Sequence, residues 1–353
     1  MSFKSGMAAI NLEMPDKVPR TEYSAAEYHF DLINAVCRTN VNPDSSRVEK
    51  EEASSAFRKA WDYGMRWSTT IHANEFGDVR TKMGHASYSA GSRDFSNDVT
   101  TYFKDVDDVL SFDAVAALPS YTHSELVSRF NAGYASMCKM NPDLVNTMGT
   151  YVTAVSALID LFGWELLLDG LAEDADQMGR VLERYSEWLQ KYYEAFADSD
   201  IPVIMIHDDI VWTSGPFVSP SWYRRYVFPL YKKYLDPLKE AGKKVLYTSD
   251  GTYTMFIDDV AECGFDGFVM EPTTDMAYIA EKYGRTHSFV GNADTRILLT
   301  GTKEDIENEV KRCMDIGKKC PGFIMAVGNH IPANTPVENA LWYNECFEKM
   351  RKR

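Results

Sequence analysis

No stretch of this chain approaches the roughly 18 uncharged apolar residues that a membrane span requires, and the first residues, Met1-Ser2-Phe3-Lys4-Ser5-Gly6, lack the apolar core of a secretory signal. A cytoplasmic protein is therefore expected. Cysteine is sparse: six widely spread residues at 37, 138, 263, 313, 320 and 346, with no C-x-x-C pair, which fits free thiols in a reducing compartment. Basic charge is also in deficit. Lys and Arg number 37 against 52 Asp and Glu, a net charge of −15, and the only basic cluster is the terminal Lys349-Met350-Arg351-Lys352-Arg353. A phosphate backbone calls for clustered Lys and Arg, so a nucleic-acid partner is excluded. No G-x-G-x-x-G or Walker A loop follows the first strands, which weakens a nucleotide-binding doubly wound sheet.

The composition that remains is globular: 45% hydrophobic and 25% charged in 353 residues. Residues 1–63 read as polar and helical, with Ser24 placed to cap Ala25–Arg38 and a second helix over Glu51–Tyr63. Between 64 and 150 lie β-like runs at Met65–Ile71, Asp113–Leu118 and Leu144–Val152, separated by turn-rich stretches such as Gly84–Asp98. A long amphipathic helical region, Ala154–Asp198, breaks near Gly163–Gly170.

From there one grammar repeats: a short, continuously apolar run, a polar turn, then a helix. The runs are Ile201–Ile206, Lys244–Tyr247, Gly267–Met270, Ser288–Val290 and Gly322–Val327. Unalternating apolar strands followed by helices mark parallel strands buried on both faces. Five such units plus the three upstream candidates predict an α/β fold, a (β/α)8 TIM barrel over 64–353 with an N-terminal helical extension over 1–63 packed on it.

In such a barrel the chemistry sits at the carboxyl ends of the strands. The residues there are Asp208 and Asp209, Asp250, Glu271, Asn292 and Asp294, and Asn329 and His330. Crowded carboxylates cannot all ionise comfortably. Either a cation joins them or some remain protonated as acids. Each residue also has a plainer use. Asp208 or Asp209 can cap a loop, and only one of the two adjacent side chains faces the pocket. Asp250-Gly251 can be a turn, Asn292 can bridge strands, and His330 can bond a backbone carbonyl. His72 and His85 flank a loop near the rim. Trp212, Phe217, Trp222, Tyr223 and Tyr226 follow the Asp208-Asp209 strand end; most pack the helix, and one or two wall an apolar ligand site.

The last unit reads Gly328-Asn329-His330-Ile331-Pro332-Ala333-Asn334-Thr335-Pro336-Val337-Glu338-Asn339. Its Pro-x-x-Thr-Pro-x-Glu-Asn portion resembles the C-terminal signature of the uroporphyrinogen decarboxylase superfamily, which also holds corrinoid-dependent methyltransferases. The Arg20-Thr21-Glu22-Tyr23-Ser24 lead-in, Thr248-Ser249-Asp250-Gly251 and Gly291-Asn292-Ala293-Asp294 resemble it as well. The Arg-rich motif that clamps the acidic tetrapyrrole in the decarboxylases has no counterpart here. The coenzyme M branch holds zinc with His-x-Cys and a further Cys, and the matching positions here read Thr248-Ser249-Asp250 and Asn329. What remains is a harder set of O and N donors.

The resemblance then implies the O-demethylase branch. Its methyltransferase component moves a methyl group from a methoxylated, often aromatic, donor to the cobalt of a small corrinoid protein that carries the cobamide. On that reading Asp250, Glu271 and His330 hold zinc. Asp208 or Asp209 orients the donor or serves as the acid. Asn292, Trp212 and Asn329 contact the substrate. The corrinoid protein docks over the barrel mouth, and a homodimer is compatible with the family. A metal-independent decarboxylase of a small acid and a non-catalytic ligand-binding relative are the alternatives.

Overall fold

The computed structural model describes residues 2–22, 29–82, 86–89, 92–95 and 99–353, with the side chains of 86–89 and 92–95 left aside. The expected cap Ser24 and rim residue His85 lie outside these residues. Six parallel strands pair in sequence order: Met148–Thr150, Val203–His207, Lys244–Ser249, Gly267–Met270, Ser288–Ala293 and Phe323–Val327. Their runs are rich in β-branched and other apolar residues and buried along their length, as strands covered on both faces must be.

Two further staves close the cylinder. Residues 64–71 run parallel to 145–151. Met65–Arg66 pairs with Val145–Asn146, and the Ile71 amide donates to the Gly149 carbonyl at 3.0 Å. The last gap is filled by residues 19–21. Arg20 bridges in parallel to Tyr63 on one side and Met325 on the other. The Gly64 amide donates to the Arg20 carbonyl at 2.8 Å, and the Thr21 amide donates to the Met325 carbonyl at 2.9 Å. The molecule is an eight-staved α/β barrel.

Two expectations are thereby corrected. Asp113–Leu118 is not a stave. Asp113 accepts from the Val115 and Ala116 amides and caps the short helix Ala114–Ala117. The eighth stave comes instead from within residues 1–63, so that segment is part of the barrel as well as a covering for it. The long helix Val155–Ala197 loses helical geometry at Gly163, as anticipated, and again at Asp174, whose carboxylate recaps the chain at the Gln177 amide. Residues 86–89 and 92–95 form an antiparallel pair on the excursion between the second and third staves.

Helix Ser2–Ile10 stoppers the barrel at its amino end. Ala9 and Ile10 pack against Met65, Val145, Val203, Leu246 and Ile324 in the barrel interior. The approach is close: a Cβ on Gly6 would stand 2.1 Å from the Gly64 carbonyl oxygen. Reciprocal capping boxes open the helices Arg47–Ala60, His123–Met140 and Lys303–Gly317.

Closure also rests on a buried ion pair. The Arg20 guanidinium is fully buried, bonded to Glu22 and Asn344, and stacked 4.4 Å over Trp61 and 4.9 Å over Phe347. Glu22 also accepts from the Val327 amide at 2.9 Å and the Tyr343 hydroxyl at 3.0 Å. Residues 20–22 are thus tied to the last strand and the last helix. Removing one partner strands a charge in the core. We expect Arg20→Met to lose roughly 3–5 kcal/mol of unfolding free energy in urea titrations, and Arg20→Met/Glu22→Gln to recover part of that loss.

Candidate functional site

Along a strand, successive side chains point to opposite faces. Val203 and Met205 share the interior core with Leu246, Val269, Val290, Ile324 and Ala326, whereas Ile204, Ile206 and Tyr247 belong to the core under the helices. Carried to the strand ends, this alternation puts His207 and Asp209, Thr248 and Asp250, and Glu271 on the inner side. It puts Asp208 outside. Asp250 and Glu271 line one cavity at the carboxyl end of the barrel together with Thr21, Trp67, Thr248 and Val327.

Asp208 is accordingly not the acid of this site. Its carboxylate is fully buried and accepts from the Ser156 amide at 2.7 Å, the Val155 amide at 3.2 Å and the Tyr231 hydroxyl. Burial nevertheless raises its pKa above the ordinary carboxylate value. It anchors the strand end to the start of the helix at Val155, where backbone amides and the helix dipole favour an anion.

Asp209 turns inward and organises the mouth. One carboxylate oxygen lies 2.8 Å from His207 Nε2 and accepts from the Asp250 amide at 2.9 Å, while its own amide donates to Ser156 Oγ at 2.7 Å. Nitrogen and oxygen atoms of His207, Asp209 and Asp250 all lie within 4.8 Å of one another, the one such group among the described residues. Their electrostatics are coupled. Burial alone would depress His207, but the adjoining Asp209 charge outweighs it and holds the imidazole up to about 9. Burial opposes the charge of Asp209 too, and there the His207 contact wins, so its pKa falls. Asp250 is raised to about 7 by burial and by the Asp209 charge, with His207 offsetting part of the rise. Two carboxylates and one imidazole therefore share few protons in a small space, which is the donor chemistry that suits a divalent cation of borderline hardness.

Of the three residues expected to hold a metal, only Asp250 falls in this group. Glu271 is engaged elsewhere: one oxygen accepts from the Gly251 amide at 2.8 Å and the other from Asn329 Nδ2 at 2.6 Å. It fixes the turn that carries Asp250. Gly251 in that turn has φ +77°, and a Cβ there would stand 2.6 Å from the Trp212 carbonyl oxygen, so the turn demands glycine. His330 stands beside the site as a half-buried imidazole. Burial, and then the positive charge of His207, lower it to about 4, so it is neutral at pH 7. Asn329 is at the mouth as expected, holding Glu271 and accepting from the His330 amide at 2.7 Å.

Asn292 takes the strand-bridging role rather than the substrate-binding one. Its Nδ2 donates to the carbonyls of Glu271 and Thr274, both at 3.2 Å, and its Oδ1 accepts from Arg312 at 3.0 Å, which occupies the side chain. Trp212 is exposed and meets Trp164 and Phe217 at ring-centroid distances of 5.7 and 5.4 Å, an aromatic wall beside the Gly251 turn. His72 is also at the rim: its ring lies 5.6 Å from Tyr151, which sits edge-on at 4.2 Å to His207. His207 itself is the site residue that reading the strand-end turns passes over. Its signal is the period of two through Val203 and Met205.

Comparison with known proteins places the fold. The family model for uroporphyrinogen decarboxylase (URO-D) matches residues 108–350. The uroporphyrinogen decarboxylase of Pelobacter propionicus is 27% identical over 50% of this chain and 50% of its own length, and that of Thermus thermophilus is 28% identical over 48% of each. The chain thus matches about half the length of these curated relatives. A methyltransferase from Methanosarcina mazei superposes with a TM-score of 0.65 at 18% identity, covering 99% of this chain and 98% of that one, and so shares the fold. With the match spanning most of the barrel, the chain belongs to the uroporphyrinogen decarboxylase family.

Proposed function

We propose that this protein is a corrinoid-dependent methyltransferase, which moves a methyl group from a methoxylated aromatic donor to the cobalt of a partner corrinoid protein. The observation that carries this reading is the His207, Asp209 and Asp250 group, whose Gly251 turn packs on the backbone of Trp212 in the Trp164, Trp212 and Phe217 wall. The donor set fits zinc: one imidazole nitrogen and carboxylate oxygens, in a superfamily with a branch where thiolates hold the metal and are replaced here by harder atoms. Held by these three residues, zinc supplies a Lewis acid for the oxygen that leaves when the methyl–oxygen bond breaks.

The chain's own residues then have separable tasks. The aromatic wall orients a planar donor. Glu271 and Asn329 hold the Gly251 turn, and with it Asp250, in place. Asp209 fixes the ring of His207 through a charge-assisted hydrogen bond. No side-chain nucleophile is required, because the methyl carbon is taken by the electron pair of the partner's cobalt(I) while the aryl oxygen keeps the pair of the broken bond. Among the described residues no helix is long and apolar enough to cross a membrane.

A second reading, a metal-independent decarboxylase of a small acid, is favoured by one observation. Asp250, held near 7, retains a proton at neutral pH and can give it to a carbanion as CO2 departs.

Both readings are open to direct tests. Chelated protein should take up one zinc per chain by titration calorimetry. His207→Ala should abolish uptake, whereas Glu271→Gln should retain it. Affinity should fall as pH is lowered from about 9 through 7, because His207 and Asp250 bind protons that the metal must displace. Full uptake by His207→Ala would remove the metal assignment. In turnover, methoxybenzene derivatives with a reduced corrinoid protein should yield one phenol per methylated cobalt. Release of CO2 from a small acid without corrinoid would establish the second reading instead.

A further inference from the structure

Strand Lys244–Ser249 carries one inward hydroxyl that neither the fold nor the site uses. Thr248 is 3% exposed, and its Oγ1 is buried without a hydrogen-bond partner, although its backbone carbonyl accepts from the Asp208 amide at 2.9 Å. It lines the cavity under Asp250 and Glu271, against Trp67, Val269, Val290 and Ala326. The other hydroxyls on that lining are occupied: Thr21 Oγ1 donates to the Met65 carbonyl at 2.8 Å and Ser249 Oγ to the Asp250 carbonyl at 2.9 Å. A buried polar atom left unmade is costly and rare in a native core.

We propose that Thr248 is a specificity-determining residue whose hydroxyl bonds a neutral oxygen substituent of the substrate, a hydroxyl or carbonyl that enters this slot. The proposal rests on the reading of the barrel mouth as a binding site for a methoxylated aromatic donor. Neutrality follows from the surroundings. The slot walls are apolar, and the residues that line it include the carboxyls of Asp250 and Glu271 but no cationic side chain, so a carboxylate or phosphate entering it would lose its hydration and find no counter-charge on the lining. A neutral group incurs neither penalty, and it satisfies the one open hydroxyl.

Thr248→Val removes the hydroxyl at nearly constant volume, and Thr248→Ser keeps it. The probes are 3-methoxyphenol and methoxybenzene, which differ by one hydroxyl, with binding to the intact protein followed by tryptophan fluorescence and needing neither cobalt nor turnover. We expect wild type to prefer 3-methoxyphenol by about 3- to 10-fold, the span of one hydrogen bond. Thr248→Val should erase that preference while leaving methoxybenzene binding unchanged, and Thr248→Ser should restore it. The melting temperature of Thr248→Val should hold or rise, because an unsatisfied buried group is gone. A preference that persists in Thr248→Val, or a lowered melting temperature showing that the hydroxyl serves the fold, overturns the proposal and leaves the functional reading standing. Failure of wild type to bind either probe removes the aromatic-donor reading, and the proposal with it.

Discussion

The two-residue alternation of parallel strands, held in register by a closed ring of hydrogen bonds, governs everything found at the mouth. It decides that Val203, Met205 and His207 point one way and Ile204, Ile206 and Asp208 the other. A slip of one residue in Val203–His207 would trade an imidazole and a carboxylate at the mouth for a carboxylate that has nothing to bind there. It would also leave the Val155 and Ser156 amides without their anion. Register is pinned on both sides: the strand pairs with Met148–Thr150 and Lys244–Ser249 simultaneously, and the strand end is tied by Thr153 Oγ1 to the His207 carbonyl at 2.8 Å and by Asp208 to the start of the long helix.

That ring exists only because residues 19–21 complete it. An open sheet of the remaining staves would present two bare edges and would not bring Glu271 and Thr21 to one cavity. The closure is carried by few residues, and its chemistry is unusual for a core: a guanidinium and a carboxylate wrapped by Trp61, Tyr343 and Phe347. Burial pushes the pKa of Glu22 up, and Arg20, the Val327 amide and Tyr343 pull against that shift. Such a pair adds less net stability than its contacts suggest. Its breakage is costly, however, so it specifies one closure over alternatives that would leave either charge alone.

How much of this is written in the sequence depends on whether the signal is local. The five late units are legible because each is a short apolar run with its own turn and helix. Residues 19–21 are not legible, because a stave three residues long has no period to detect and is defined by its neighbours at Tyr63 and Met325. Asp113–Leu118 reads as a strand from its sequence because a few small apolar residues fit strand or helix alike; the arbiter is the Asp113 cap on the helix Ala114–Ala117. At the site, the positions of Asp209, Asp250, Glu271 and Asn329 at one mouth follow from topology alone. Which donors converge does not. The choice between Glu271 and His207 turns on hydrogen bonds from Gly251 and Asn329 that no spacing encodes, and Asn292 is claimed by Arg312 from a later helix that carries no motif of its own.

On the proposed zinc reading, the charge balance at the mouth accounts for a site built without thiolates. A thiolate pair lowers its own protonation by binding a soft cation. Here the equivalent work is divided. Asp209 keeps its charge by holding His207, and Asp250, two residues past the interior Thr248, is left as a carboxyl that keeps its proton up to about 7. Glu271 is withdrawn from that contest by the two donors that grip it, which leaves the cluster one cationic ring, one firm anion and one adjustable group. A site so arranged carries charges of both signs, and on the proposed zinc reading its donors become available to a divalent cation only as protons leave His207 and Asp250. What the mouth presents is therefore set by how the carboxylates are partnered, not by how many there are.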